Sequence, residues 1–278
     1  MPNIEDLFTE ISSKKNKFFT QIDLNKGYWQ IAFTKEVTSF TTLMGLFQWK
    51  VMPFSLVNAP AVLTRMMRKQ LNGMKGVVNF MDHILFASET WENHITQLRE
   101  VLTRLKQANL TARPTKCLVG FPNLEFLGFV VGEGIKRPEQ GKVEKMLNLP
   151  QTTTKTGVRS LLGLVGFYWE FVPNFAVITS PLSNMIKKGT PTKVEWTGAA
   201  KTVLDTVKER LGSYPILKLP DFSKPFILRM DVSDTGLGAV LLQEFDGKPF
   251  PVWYASRKLS KWQQGYATVK KECLAVVW

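Results

Sequence analysis

The sequence predicts an α+β fold, and three stretches predict it. Val77 to Ala87 reads VVNFMDHILFA, two apolar runs around a polar centre, which is the pattern of a tight antiparallel hairpin. Glu89 to Leu110 follows, with Ile95, Leu98, Leu102 and Leu105 at helical spacing, so that a helix buries one face. Further on, Phe226 to Asp231, Leu237 to Phe245 and Phe250 to Ser256 read as three consecutive antiparallel strands. A hydrophobic share of 44% over 278 residues supplies a packed core and excludes a disordered chain.

The remaining elements follow in order. Asp6, Leu7, Phe8 and Ile11 suit a short helix before the first strand, which ends in the run FFTQID at Asp23. Phe40 to Met52 alternates enough for a hairpin turning at Gly45. Asn58-Ala59-Pro60 starts a helix that continues through Met66, Met67 and Leu71. Asn109 ends the 89–110 helix, where a left-handed residue is often needed. Residues 141–190 read as helical, with an apolar stripe at Val158, Leu161, Leu162 and Val165, and with Gly163 and Gly166 allowing close packing. Pro215, Pro220 and Pro225 punctuate the approach to the three strands, and Gln263 to Trp278 starts a last helix.

Composition narrows the function classes. Lys and Arg number 36 against 23 Asp and Glu, a net charge of +13, which suits a polyanionic partner but also fits a solvated basic surface. There is no apolar run of about 18 residues, so no membrane span is expected. The acidic start MPNIEDLFTE lacks the layout of a signal peptide; an intracellular chain, in cytoplasm or nucleus, is expected. Cys117 and Cys273 lie far apart and read as buried thiols rather than a disulfide.

Two acidic residues stand out. Asp82 sits at the tip of the VVNFMDHILFA hairpin and Asp23 at the end of another apolar run. Carboxylates delivered to strand ends from distant parts of the chain are what a Mg²⁺–phosphate site requires. Taken singly, each reads as a turn aspartate, the commoner fate of an Asp at a strand end.

The ordered motifs IDLNKGYWQI, VMPFSLVNAPA and NFMDHILF resemble those of a reverse transcriptase palm, most closely the polymerase of gypsy-type long-terminal-repeat retroelements. FLGFVVGEGIKRP resembles the primer-grip hairpin of that family, LLGLVGFYWEFVPNF its thumb, and PFILRMDVSDTGLGAVL with KKECLAVVW the start of its ribonuclease H domain. The resemblance implies a right-hand polymerase palm, a sheet with helices on one face, then a helical thumb and an incomplete ribonuclease H-like α/β domain. It divides the chain into a palm with a fingers remnant at 1–118, the hairpin at 119–140, thumb and connection at 141–221, and a C-terminally truncated ribonuclease H-like domain at 222–278. The implied function is RNA-directed DNA polymerase with ribonuclease H. It would add deoxynucleoside triphosphates (dNTPs) to a primer 3′-hydroxyl with two Mg²⁺ per active site. The implied partners are RNA template, DNA primer, RNA–DNA hybrid and dNTP, with no membrane. Asp23 and Asp82 would be the polymerase carboxylates and metal ligands; Asp231 and Glu272 would serve the ribonuclease H site. Tyr28, Gln30, Phe54 and Ser55 would contact nucleotide, and Phe126, Leu127, Gly128 and Phe129 the primer end. Each of these has a plainer reading too, as packed strand-end or hairpin residues.

Departures from the family pattern are equally legible. His83 stands where a third carboxylate belongs, bringing one neutral nitrogen in place of a charged oxygen; it suits Mn²⁺ or Zn²⁺ better than Mg²⁺. It reads as a lost ligand, a surrogate ligand or a packed hairpin residue, the first being favoured by the accompanying changes. Those changes are Val37 for a basic residue, Ser55 for a glycine, and Trp169-Glu170 for a basic pair in the thumb. Arg65, Arg68, Lys69 and Lys116 are candidate phosphate contacts, His94 a surface residue and Asp234 a structural turn aspartate. The expectation is a truncated, degenerate copy with impaired polymerisation and no RNA-strand cleavage. The alternatives are a non-catalytic nucleic-acid-binding remnant or a non-functional reading frame.

Overall fold

The computed structural model describes residues 2–12, 15–33, 38–213 and 215–278; Val37 lies outside them. The chain is α+β and forms two compact units, one running to Phe126 and including Val131–Gly134, the other Leu127–Val130 with Ile135–Trp278.

In the first unit, α1 (Ile4–Glu10) precedes β1 (Phe18–Asp23), and a single 3₁₀ turn follows at Gly27–Gln30. β2 (Ser39–Thr42) and β3 (Gly45–Gln48) form a separate hairpin. Then come α2 (Ala59–Gln70), β4 (Val77–Phe80), β5 (His83–Ser88), α3 (Trp91–Gln107), β6 (Leu118–Phe121) and β7 (Asn123–Phe126). The main sheet has the order β4-β5-β1-β6, which places β1 centrally. Phe80 pairs with His83, so Met81 and Asp82 alone make the β4–β5 turn, with Met81 left-handed at φ 53°. α2 and α3 cover one sheet face through Leu63, Met67, Val101 and Leu105 against Ile22, Val77, Ile84 and Phe86. Each such side chain contributes about 1.5–3 kcal/mol on full burial. Side chains alternate along β1, so Phe19 and Asp23 belong to the other face.

α3 starts at Thr90, whose side chain accepts from the Asn93 N–H, and stops before Asn109, which is left-handed at φ 55° as expected. Its phase departs from expectation. His94, Val101 and Leu105 are its buried residues, and Leu102 is exposed. His94 is fully buried rather than at the surface. Its ring lies against Phe18, Phe86 and Trp91. The hydrogen bonds around it run in one direction. The Gly120 N–H donates to Thr20 Oγ1, whose hydroxyl is 2.6 Å from His94 Nε2. His94 Nδ1 is 3.1 Å from Ser88 Oγ, and that hydroxyl donates to Gln97 Oε1. Only a neutral ring protonated on Nδ1 satisfies every member. Burial accordingly lowers the His94 pKa.

A pH dependence follows. Unfolded histidine titrates near pH 6.5, so the His94 contribution is fully present above about that pH. It is lost as the pH falls, by at most about 1.4 kcal/mol per pH unit. Urea unfolding midpoints should fall between neutral and mildly acid buffer, and His94→Gln should flatten that fall. Equal slopes in both proteins would show the ring to be hydrated.

β8 (Phe129–Gly132) runs across the unit boundary. The second unit continues with β9 (Ile135–Pro138), α4 (Gln140–Leu147), α5 (Lys155–Gly166), α6 (Phe175–Ile178), α7 (Ser180–Met185) and α8 (Gly198–Gly212). β10 (Leu217–Lys218) pairs with β9, and β11 (Ile227–Val232), β12 (Gly236–Phe245) and β13 (Lys248–Lys258) form an antiparallel sheet in that order. α9 (Lys261–Gln264) and α10 (Thr268–Val277) end the chain, so the single last helix of the sequence reading is two. The α5 stripe is buried at Val158, Leu161 and Val165. A Cβ on Gly163 or Gly166 would meet nothing within 4 Å, so these glycines face open space rather than a close neighbour. Both cysteines are free; Cys117 is half-buried against the core of the first unit, whereas Cys273 is exposed on α10, so the expectation of two buried thiols fails.

Candidate active site

Pairing of β1 with β5 sets Asp23 directly opposite His83, and the two-residue turn sets Asp82 beside it. The histidine ring lies between the two carboxylates. Nδ1 is 3.5 Å from Asp23 Oδ2 and Nε2 is 3.9 Å from Asp82 Oδ1. Nδ1 is buried and has no hydrogen-bond partner among the described residues. The Asp23 side chain is nearly enclosed, and its Oδ2 also faces the Lys116 ammonium at 3.7 Å. Lys116 enters because the Arg113 N–H bonds to the Asp23 carbonyl at 2.7 Å, holding the segment before β6 against the end of β1. The sequence reading placed Lys116 only as a phosphate contact; its pairing with Asp23 depends on a β1–β6 neighbour relation that no short motif reveals.

The backbone around the cluster is tight. A Cβ on Gly27 would lie 3.0 Å from the Asp82 Cβ, so a side chain there would press on the Asp82 turn. Leu24 N–H bonds to the Asp82 carbonyl at 3.0 Å. Tyr28 is half-buried beside the tip, its hydroxyl 3.7 Å from Met81 Sδ, and burial followed by the Asp82 charge raises its pKa. Phe54 stands edge-on to Tyr28 at 5.6 Å and is largely exposed. Ser55 adopts φ 70°, a left-handed conformation natural to glycine and strained for serine.

Tyr28, Phe54 and the two aspartates therefore meet, with Ser55 adjacent to Phe54 in sequence. Gln30 serves otherwise. Its amide donates to the Asn25 and Thr111 carbonyls and its oxygen accepts from the Thr111 N–H and hydroxyl, so it clamps a loop and has no spare group for a nucleotide.

Mg²⁺ demands near-octahedral oxygen ligation, and a two-metal site spaces its ions about 3.5–4 Å apart. Here an imidazole nitrogen is wedged against Asp23, and an ammonium approaches the same oxygen. Among the described residues no group of three or more His, Cys, Asp or Glu is arranged to hold a metal ion. This donor set does not fit a pair of Mg²⁺.

The expected primer-contacting residues are mostly enclosed. Phe126 and Phe129 are buried, Phe126 edge-on to Phe8 and Phe129 stacked on Phe167 and Phe171. Leu127 and Gly128 are both left-handed, forming the turn, and Tyr168 donates to the Gly128 carbonyl at 2.7 Å. Burial, then the Glu139 charge, pushes the Tyr168 pKa up to about 12. Glu170, one of the two residues that replace the family's basic pair, is buried and pairs with the buried Lys136 ammonium at 2.7 Å.

Asp231 and Glu272 are both exposed. Asp231 lines a shallow cleft with Asn174, Arg229, Gly238 and Tyr254 on one face of the β11–β13 sheet. α10, which carries Glu272, packs on this sheet through Leu274 and Ala275, which cluster with Met230, Val232 and Leu237. Asp234 pairs with Lys271 at 2.8 Å, which lowers its pKa, in keeping with a structural role.

Residues 1–131 match the family of reverse transcriptases (RNA-dependent DNA polymerases), and residues 196–278 match the RNase H-like domain found in reverse transcriptase. The chain carries a reverse transcriptase domain and an RNase H-like domain. The retrovirus-related Pol polyprotein from transposon 297 of Drosophila melanogaster is 35% identical over 287 residues, covering 100% of this chain and 26% of that protein. The transposon Tf2-7 polyprotein of Schizosaccharomyces pombe is 34% identical over 283 residues, covering 100% of this chain and 21% of that protein. The chain therefore spans about a quarter of the length of these relatives. Its fold is that of foamy viral protease-reverse transcriptase solved with an RNA/DNA hybrid, at TM-score 0.85 and 24% identity over 99% of this chain and 38% of that one. The same protein with dsDNA gives 0.88 and 24% over 100% and 58%. No helix among the described residues is long and apolar enough to cross a membrane.

Proposed function

We propose that this chain is a segment of a gypsy-type retroelement Pol protein that engages primer–template nucleic acid and is impaired in nucleotide addition. The observation that carries the reading is the His83 ring between Asp23 and Asp82, at 3.5 and 3.9 Å. Reverse transcriptases depend on divalent metal. One imidazole for one carboxylate removes a negative charge where two cations must be held, so Mg²⁺ is disfavoured and Mn²⁺, which accepts nitrogen, is tolerated better. Tyr28 and Phe54 supply a wall for the sugar and base of a dNTP.

Nucleic-acid engagement rests on the +13 charge and on the exposed Arg65, Arg68 and Lys69 of α2. Phosphate neutralisation releases counterions, so affinity falls steeply with salt. A fluorescent RNA–DNA hybrid titrated in EDTA should bind, with affinity dropping at least tenfold between about 50 and 200 mM salt. Absence of binding at the lower salt would contradict the reading.

A further inference from the structure

We infer that Lys116 is the internal counter-ion of Asp23 and competes with a divalent cation for that carboxylate. This deepens the reading of the cluster as a weakened metal site and rests on it. The Asp23 side chain is only 9% exposed, yet it ends in a carboxylate. Taking such a charge out of water is costly unless an opposite charge stands close. The Lys116 ammonium is that charge, 3.7 Å from Asp23 Oδ2.

The backbone delivers Lys116 to this place. The Arg113 N–H donates to the Asp23 carbonyl at 2.7 Å, the Asn25 N–H to the Thr111 carbonyl at 2.9 Å, and Leu24 bridges to Ala112. Residues 111–113 therefore run beside the end of β1. A 3₁₀ turn at Pro114–Lys116 follows, with the Lys116 N–H donating to the Arg113 carbonyl at 3.0 Å. Cys117 then packs against the core of the first unit. Lys116 is thus tethered on both sides along the chain, and its side chain starts beside the carboxylate.

The contact itself is loose. At 3.7 Å it is an ion pair without a hydrogen bond, and the Lys116 side chain is 55% exposed. The ammonium supplies charge without closing the site, and it can withdraw into water at little cost. A divalent cation approaching Asp23 Oδ2 meets this ammonium at the same oxygen that faces His83 Nδ1. Like charges repel, so a metal must displace the ammonium to be held there. The protein's own cation therefore weakens metal binding by the strength of the pair, which for a partly exposed pair is up to about fivefold.

Mn²⁺ binding to the whole chain in the absence of nucleic acid, read from the electron paramagnetic resonance signal of the free ion, is the test. Lys116→Met keeps most of the alkyl stem and removes the charge, and Lys116→Gln is a second neutral variant. Both should tighten Mn²⁺ binding about threefold to fivefold, while Lys116→Arg should stay at the wild-type affinity. In an Asp23→Asn background Lys116→Met should change nothing, which separates this carboxylate from Mn²⁺ bound elsewhere. Unaltered affinity in both neutral variants overturns the inference. So does tightening that persists in Asp23→Asn, or Mn²⁺ binding too weak to detect in the wild type and both neutral variants alike. The reading of impaired nucleotide addition fails separately, through primer extension by the wild type in Mg²⁺, which these affinities do not measure.

Discussion

Glu170→Ala is expected to destabilise the second unit by about 3–5 kcal/mol, the cost of leaving a buried charge without its partner. Lys136 and Glu170 are both almost wholly removed from water and lie 2.7 Å apart. The Lys136 ammonium also sits 4.4 Å from the centre of the Phe129 ring and 5.8 Å from those of Phe171 and Trp253. The rings attract the cation but cannot hydrate it, so removing the carboxylate costs the buried ammonium its ion pair. Glu170→Arg, which would restore the basic residue usual in the resembling family, should be worse, because it sets two like charges together. The double replacement Lys136→Met with Glu170→Leu keeps the volume and removes both charges; it should fall within about 1 kcal/mol of the wild type or exceed it. Denaturant unfolding followed by tryptophan fluorescence reads all three, with Trp253 beside the pair. A neutral Glu170→Ala would mean that water reaches the pair.

Much of the architecture was legible in the sequence where a pattern is local. The β4–β5 hairpin, the left-handed Asn109 and the three consecutive strands of the second sheet follow from alternation and turn chemistry within a few residues. The phase of α3 was less so. Ile95, Leu98, Leu102 and Leu105 and the alternative His94, Leu98, Val101 and Leu105 both have helical spacing, and hydrophobicity alone favours the first. The second wins because Thr20 and Ser88 give the imidazole two hydrogen bonds inside the core, which pairwise sheet neighbours must supply. The same limit hid Gln30, whose partner Thr111 is remote in sequence, and the exposure of Gly163 and Gly166. Of the candidate site, the two aspartates, Tyr28 and Phe54 were readable from their motifs. Lys116 at Asp23 was not, since it depends on which strand lies beside which.

The second large effect belongs to His83. Aspartate at this position would return a charged oxygen to the cluster and remove the ring that now separates Asp23 from Asp82. A single charged group aimed at developing charge is commonly worth about 10²–10³ in rate. Because position 83 is half-exposed at the first residue of β5, the substitution should leave folding intact. The Lys116 ammonium would then face a more negative cluster, which favours its retention near Asp23.

Primer extension on an RNA template, run in Mg²⁺ and separately in Mn²⁺ for the wild type and His83→Asp, tests the account most directly. The predicted result is no measurable extension by the wild type in Mg²⁺, weak extension at best in Mn²⁺, and a gain of about 10²-fold or more on His83→Asp in Mg²⁺. A wild type that already extends primers in Mg²⁺ at the rate of His83→Asp would contradict it.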